Sequence, residues 1–177
     1  MNLENLKMLG ADTSDCVQIL YDVAVSMPAY RILELGVRTG VSTVALLLAA
    51  KQVNGHLWSV DVDSCVRAVK TVKDNGLDSY WTFMIGDDRN LLPNFLENSM
   101  DMIFVDTSHQ YEHTLMELRL CDRILRKDGV ILLHDTVGRD YPDVMKAVSV
   151  FLREQQEKYV FKELGSRYGL GMLTKKE

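Results

Sequence analysis

Short apolar segments alternate with amphipathic segments along the chain. The apolar segments are nearly continuous runs, a pattern typical of strands that are covered on both faces of a parallel sheet. These predicted strands are 31–35, 57–60, 81–85, 102–105, 130–133, 159–161 and 171–173.

Between these strands the apolar residues recur at helical spacing. The predicted helices are 14–26, 44–50, 66–75, 115–125 and 144–152. Ser42 and Thr43 are predicted N-caps of the second helix, and Asp63 is expected to cap the third. Strands that alternate with helices predict an α/β fold, built as an open, doubly wound and mostly parallel sheet.

Length and composition indicate a single globular domain. No internal repeat or Pro/Gly-rich linker divides the 177 residues, so 1–177 is predicted to be one domain, with 1–30 as a short N-terminal helical segment. The net charge of −5 and the pI near 5.4 argue against nucleic acid as a partner.

The sequence also predicts a cytoplasmic protein without a membrane partner. Its longest apolar run, 44–50, is far shorter than the ~20 residues that span a bilayer, and we expect no secretory peptide. Cys16, Cys65 and Cys121 are widely spaced, form no metal-binding pattern and are predicted to be reduced thiols.

Residues 34–43 follow the first predicted strand and carry the first candidate site. Gly36 and Gly40 allow a tight turn and close approach of a ligand, and Ser42 opens a helix whose N–H groups attract an anion. The Gly-x-Gly-x-x-Gly spacing of dinucleotide loops is absent, and Glu34 suits a ligand with an ammonium and a sulfonium group. The alternative is a plain strand-to-helix turn.

Carboxylates follow the next two predicted strands. Asp61 lies about 20 residues beyond the glycines, where a carboxylate can accept hydrogen bonds from both ribose hydroxyls. After the third strand, Asp87 or Asp88 could meet an adenine amino group, although a solvated turn explains this pair equally well.

The fourth and fifth strands end in a second candidate site. Asp106 and His109 follow the fourth strand, and His134 and Asp135 follow the fifth, so the two turns should lie side by side. If the carboxylates of Asp106 and Asp135 lie next to each other, they repel unless a cation lies between them. Carboxylate oxygens are ligands that favour Mg²⁺ or Mn²⁺. His109 could then act as a general base, whereas His56 and His113 are expected to be structural.

These motifs resemble the class I S-adenosylmethionine-dependent methyltransferases, and within them the small O-methyltransferases of the catechol-type and sugar- or macrolide-modifying branches. The segments that carry the resemblance are 34–43, 59–63, 86–87, 106–111 and 125–135. The resemblance implies a Rossmann-like methyltransferase fold of about seven strands with a C-terminal antiparallel strand.

The resemblance also implies a role for each candidate residue. S-adenosylmethionine would be bound by Glu34, Gly36, Gly40, Ser42, Asp61, Asp87 or Asp88, and Asp106. Mg²⁺ or Mn²⁺ would be held by Asp106, Asp135 and His134, with His109 as the general base. The implied reaction is metal-assisted O-methylation of a small hydroxylated acceptor, such as a sugar or a phenol. The segment before Arg31 is short for a lid, which leaves the pocket open or completed by a second copy in a homo-oligomer.

Two other functions stay open at this stage. One is a nicotinamide-dependent oxidoreductase, which the missing Gly-x-Gly-x-x-Gly pattern disfavours. The other is a module that binds S-adenosylmethionine without catalysis, which the presence of Asp106 and His109 disfavours.

Overall fold

The computed structural model describes residues 2–137 and 140–176. Its strands are β1 (Arg31–Leu35), β2 (His56–Asp61), β3 (Trp81–Ile85), β4 (Met100–Val105), β5 (Leu125–His134), β6 (Tyr159–Glu163) and β7 (Leu170–Lys175). Its α-helices are α1 (Leu3–Lys7), α2 (Val17–Ser26), α3 (Val41–Val53), α4 (Val66–Asp74), α5 (Asp88–Leu91), α6 (Tyr111–Ile124) and α7 (Pro142–Glu154).

The strands form a seven-stranded sheet in the order β3-β2-β1-β4-β5-β7-β6. Among the pairings given for the described strands, β7 pairs antiparallel with both β5 and β6, and the pairings of β1 with β2, β2 with β3 and β4 with β5 are parallel. The predicted α/β fold, with a mostly parallel sheet of about seven strands and an antiparallel C-terminal strand, is therefore confirmed.

The chain divides into two compact units, Met1–Asp87 and Asp88–Glu177. In the first unit, β1 pairs with β2 and β2 with β3, and the apolar residues Ile32 and Leu57 lie opposite each other in this register. Helix α3 contacts both β1 and β2, and most of its residues are buried. A helix that is buried on most of its surface has to be apolar along nearly its whole length, as residues 44–50 are.

In the second unit, apolar residues of four adjacent strands form one row. Ile103 of β4 lies opposite Ile131 of β5, which lies opposite Leu173 of β7, and Leu173 lies opposite Phe161 of β6. Ile103, Ile131 and Leu173 are fully buried, so this row anchors the sheet of the unit. Helices α6 and α7 contact each other.

Two predictions about helix ends are wrong. Helix α3 has Gly40 as its N-cap, so Ser42 and Thr43 lie inside its first turn, where their hydroxyls bind a buried carboxylate instead of the helix end. Helix α4 has Cys65 as its N-cap without a side-chain cap, so Asp63 does not cap it.

No helix among the described residues is long and apolar enough to cross a membrane. The three cysteines are buried and form no disulfide.

A partly buried ion network around Asp122 in the second unit predicts a pH-dependent stability. Asp122 accepts hydrogen bonds from Lys158 Nζ (2.7 Å) and from Tyr159 Oη (2.8 Å), and Lys175 Nζ lies 3.3 Å from its Oδ1. Burial raises the pKa of Asp122, but these hydrogen bonds and the lysine charges outweigh burial and lower it below the usual value.

Because the pKa of Asp122 is lower in the folded chain, its contribution to stability is present above the unfolded pKa of ~3.9 and is lost as pH falls through the folded value. We expect Asp122→Asn to lower the free energy of unfolding by about 1–2 kcal/mol at pH 7. Urea unfolding should show this gap shrinking between pH 5 and pH 3. A gap that stays constant over that range would contradict the assignment.

Candidate functional site

Most candidate residues lie in two places, which we call the glycine loop (residues 34–43, first unit) and the acid–histidine cluster (Asp106, His109, His134 and Asp135, second unit). In the glycine loop, Gly36 and Gly40 have φ values of 91° and 83°, which side-chain-bearing residues rarely adopt. A Cβ on Gly40 would also lie 2.6 Å from the Cβ of Ala68, so glycine is required there for both backbone conformation and packing.

Glu34 is the centre of a buried hydrogen-bond network in the glycine loop. Its Oε1 accepts a hydrogen bond from Ser42 Oγ (2.7 Å), and its Oε2 accepts from Thr43 Oγ1 (2.8 Å) and Ser59 Oγ (2.7 Å). The side chain is fully buried. The network fixes the first turn of α3 to the ends of β1 and β2. A direct contact of Glu34 with a cofactor stays a prediction.

Asp61 holds the same loop from the end of β2. Its Oδ2 accepts hydrogen bonds from the backbone N–H groups of Val37 (2.8 Å) and Arg38 (3.0 Å), and its Oδ1 accepts from the N–H of Asp63 (2.9 Å). Burial raises the pKa of Asp61, but these backbone hydrogen bonds outweigh burial and keep the group ionised. Each carboxylate oxygen has more than one lone pair, so Asp61 can still accept a hydrogen bond from a ligand hydroxyl.

The two aspartates after β3 have different surroundings. Asp87 is half-buried at the end of the first unit, and Asp88 begins α5 in the second unit. Asp88 is buried, and its Oδ2 lies 3.0 Å from Nε2 of His113. The contact that the structure shows for Asp88 is thus with a histidine, and an adenine contact for either aspartate stays a prediction.

The acid–histidine cluster brings together the four residues that the sequence places after β4 and β5. Nε2 of His109 lies 2.7 Å from Asp135 Oδ2 and 3.3 Å from Asp106 Oδ1. Nδ1 of His134 lies 3.0 Å from Asp135 Oδ2 and 3.6 Å from Asp106 Oδ1. The predicted convergence of these two turns is therefore what the structure shows.

The cluster strongly perturbs the pKa of its members. Burial lowers the pKa of His109, but the carboxylates of Asp106 and Asp135 outweigh burial and raise the pKa to about 9. In return, the two histidines hold the pKa values of Asp106 and Asp135 below their usual range, against the effect of burial. Strong mutual perturbation of this kind is typical of functional sites, although structural ion networks also produce it.

Backbone geometry at the cluster is also unusual. His109 has φ 57° and Asp135 has φ 61°, so both adopt the left-handed conformation that is uncommon outside glycine. The ring of Tyr141 stacks on the imidazole of His109, with ring centroids 4.1 Å apart. The imidazole of His109 is therefore contacted both by the two carboxylates and by the ring of Tyr141.

Asp106, His134 and Asp135 have the composition and spacing of a cation site. One ligand atom from each lies within 4.8 Å of the others, and two carboxylates with an imidazole suit Mg²⁺, Mn²⁺ or a similar divalent ion. These residues fit the cation that the sequence predicts, and its binding stays a prediction.

A third group of residues was missed by the sequence analysis. His113, which was expected to be structural, lies against Asp88 and against Glu117, whose Oε1 is 3.5 Å from His113 Nε2. The spacing of His113 and Glu117, four residues apart on α6, places both on one helix face and was the available signal.

Comparisons with known proteins agree with this fold. A family model described as a methyltransferase domain matches residues 33–136. No protein with curated annotation matches the chain.

Three solved structures illustrate the fold similarity. The O-methyltransferase TomG from Streptomyces achromogenes, in complex with SAM, is 18% identical, with 94% of this chain and 82% of that chain covered and a TM-score of 0.78. The methyltransferase PaMTH1 from Podospora anserina, bound to SAH, is 17% identical, with 99% and 86% covered and a TM-score of 0.78. The O-methyltransferase from Bacillus cereus, in complex with SAH, is 16% identical, with 98% and 90% covered and a TM-score of 0.77.

The sheet and its strand order define a Rossmann-like methyltransferase fold. The chain belongs to the methyltransferase domain family whose model it matches, which confirms the class that the sequence motifs indicated.

Proposed function

We propose that this protein transfers a methyl group from S-adenosylmethionine to a hydroxyl oxygen of a small molecule, such as a sugar or a phenol, with the help of a divalent cation. The observation that carries this proposal is the position of His109, whose Nε2 lies within 3.3 Å of both Asp106 and Asp135. An imidazole beside two carboxylates can receive a proton next to a bound cation.

The glycine loop and Asp61 are the proposed cofactor-binding elements. The first N–H groups of α3 have no partner inside the helix, so they can bind the methionine carboxylate of the cofactor. Asp61 would accept hydrogen bonds from the ribose hydroxyls while it holds Val37 and Arg38. SAM or SAH in the structures of TomG, PaMTH1 and the Bacillus cereus enzyme supports this choice of cofactor.

The acid–histidine cluster is proposed to activate the acceptor. When bound, the cofactor supplies an electrophilic methyl group on sulfur, and a cation would lower the pKa of the acceptor hydroxyl. The carboxylates that raise the pKa of His109 to about 9 are the same ones that would bind the cation. A cation would offset their negative charge, so that the neutral imidazole becomes available to take the hydroxyl proton at Nε2.

A thermal-shift titration tests the proposal. S-adenosylhomocysteine at ~100 times its dissociation constant should stabilise the protein by about 2.7 kcal/mol, which corresponds to a rise in Tm of roughly 5–11 °C for a domain of this size. Mg²⁺ or Mn²⁺ should raise Tm further, and Asp135→Asn should remove that increment. A response to NAD alone would overturn the proposal and favour an oxidoreductase.

Replacing Asp61 by alanine is expected to weaken binding of S-adenosylhomocysteine at least tenfold. The substitution removes the proposed ribose acceptor and also releases the N–H groups of Val37 and Arg38. Isothermal titration calorimetry measures the change, and Asp63→Ala, two residues away and exposed, is the matched control. Equal affinities of the two variants would exclude Asp61 from the cofactor site.

A further inference from the structure

Asp88, His113 and Glu117 form a compact group apart from the acid–histidine cluster. Asp88 is 7% exposed and Glu117 is fully buried, while the side chain of His113 is one-fifth exposed. One ligand atom from each residue lies within 4.8 Å of the other two. The group joins the short helix α5 to the first turns of α6.

One atom of this group has no partner in the described part of the chain. Oδ1 of Asp88 is buried and accepts no hydrogen bond, whereas Oδ2 faces His113. A buried carboxylate oxygen without a donor is unfavourable, because it has lost its water without gaining a partner. This atom indicates that the group is adapted to a positively charged ligand.

Two distances within the group are close to those between ligands of one metal ion. Nε2 of His113 lies 3.0 Å from Asp88 Oδ2 and 3.5 Å from Glu117 Oε1. Ligands bound at 2.0–2.1 Å with tetrahedral angles lie about 3.3 Å apart. The three side chains could therefore bind one ion with only small movements.

The charges of the group point in the same direction. When the imidazole is neutral and both carboxylates are ionised, as binding of a metal requires, the group carries two negative charges, which a divalent cation would cancel. Without a cation, the hydrogen bond to Glu117 foremost raises the pKa of His113 to about 9, against the effect of burial. Burial foremost, together with the hydrogen bond to Asp88 and its charge, raises the pKa of Glu117 to about 7. Thr107 Oγ1 donates a hydrogen bond to Glu117, at 2.8 Å from Oε1, and so orients its carboxylate.

We propose that Asp88, His113 and Glu117 bind a divalent transition-metal cation of the Zn²⁺ or Mn²⁺ class, at a site separate from the proposed catalytic one. One imidazole nitrogen and two carboxylate oxygens suit such ions, as the same donor set does in the acid–histidine cluster. Water would complete the coordination, because the exposed side of His113 gives solvent access. The ion would fasten α5 to α6, and its role is structural.

Calorimetric titration of the EDTA-treated, dialysed protein with ZnCl₂ or MnCl₂ tests this site. We expect His113→Gln and Glu117→Gln each to bind one equivalent of Zn²⁺ fewer than the wild type. Because Asp135→Asn should lose the proposed catalytic cation, it serves as the control background: it should still bind the one equivalent of Zn²⁺ that the double variant Asp135→Asn/His113→Gln lacks. Far-UV circular dichroism checks the fold, and His113→Gln is the milder variant because His113 is partly exposed.

The outcomes separate this site from the proposed catalytic cation site. Loss of one equivalent in His113→Gln, together with one equivalent that Asp135→Asn binds and Asp135→Asn/His113→Gln does not, supports the proposal. Unchanged zinc binding in a folded His113→Gln variant would overturn it, and so would a wild-type protein that binds neither metal. Loss only in Asp135→Asn would also overturn it, while leaving the proposed function intact. As a second readout, Zn²⁺ should raise the Tm of the wild type more than that of His113→Gln.

Discussion

Replacing His109 by alanine is expected to lower kcat about 100- to 10,000-fold, the usual contribution of a general base. Nε2 of this imidazole lies within 3.3 Å of both Asp106 and Asp135, and its ring stacks on Tyr141. Binding of S-adenosylhomocysteine should change little, because the proposed cofactor residues belong to the glycine loop and to Asp61.

Two controls distinguish a base from a structural histidine. His56→Ala is the matched substitution. His56 begins β2, its Nε2 forms a hydrogen bond with the hydroxyl of Thr82, and it lies outside both candidate sites. Its kcat should stay near that of the wild type. Added imidazole should restore part of the turnover of His109→Ala, which a merely structural loss would not allow. Turnover of His109→Ala equal to that of the wild type would remove His109 from the mechanism.

The acceptor has to be found before kcat can be measured. Release of S-adenosylhomocysteine in the presence of a panel of sugars and phenols identifies it, and EDTA in parallel reactions tests the need for a cation. Methyl transfer that is insensitive to EDTA would retain the methyltransferase proposal and exclude the metal-assisted mechanism.

The sequence predicted the sheet well because each strand carries its own local signal. Segment 31–35 coincides with β1 and 81–85 with β3, since continuous apolar runs are recognisable without knowledge of their neighbours. The sheet then places strand ends along one edge, so the approach of Asp106 to Asp135 could be inferred from topology alone.

The helix ends were harder to predict, because distant residues determine them. Ser42 and Thr43 have the side chains of typical N-caps, yet both hydroxyls bind Glu34, which precedes them by eight and nine residues. A buried carboxylate offers stronger hydrogen bonds than a helix end that water can also satisfy. Local propensity therefore gave the wrong result where a tertiary contact was stronger.

The group of Asp88, His113 and Glu117 shows a second limit of sequence analysis. Asp88 is separated from His113 by 25 residues, and the sheet edge gives no reason to pair them. Only the packing of α5 next to α6 brings them together. The spacing of His113 and Glu117 on α6 gives no indication that Asp88 lies beside them, and His113 was accordingly expected to be structural.

Removal of the Glu34 carboxylate is expected to lower the stability of the protein strongly. Ser59 Oγ receives a hydrogen bond from Trp81 Nε1 (2.8 Å), so its own proton is directed to Glu34 Oε2. Replacing Glu34 by alanine would leave three buried hydroxyls without their acceptor and would open a cavity. We expect the free energy of unfolding to fall by about 3–5 kcal/mol and Tm by roughly 6–20 °C.

Chemical unfolding of Glu34→Ala and of Thr43→Val measures how much of this effect belongs to the network. Thr43→Val keeps the shape of the side chain and removes one donor, so a loss of about 1 kcal/mol is expected.

Glu34→Ala should in addition weaken binding of S-adenosylhomocysteine, because the first turn of α3 loses its attachment to β1 and β2. If Glu34→Ala destabilised the protein no more than Thr43→Val, the buried carboxylate would not be the group that holds the glycine loop. If it destabilised the protein strongly while affinity stayed unchanged, the loop would be stable without Glu34 once a ligand is bound, and the cofactor would depend mainly on Asp61.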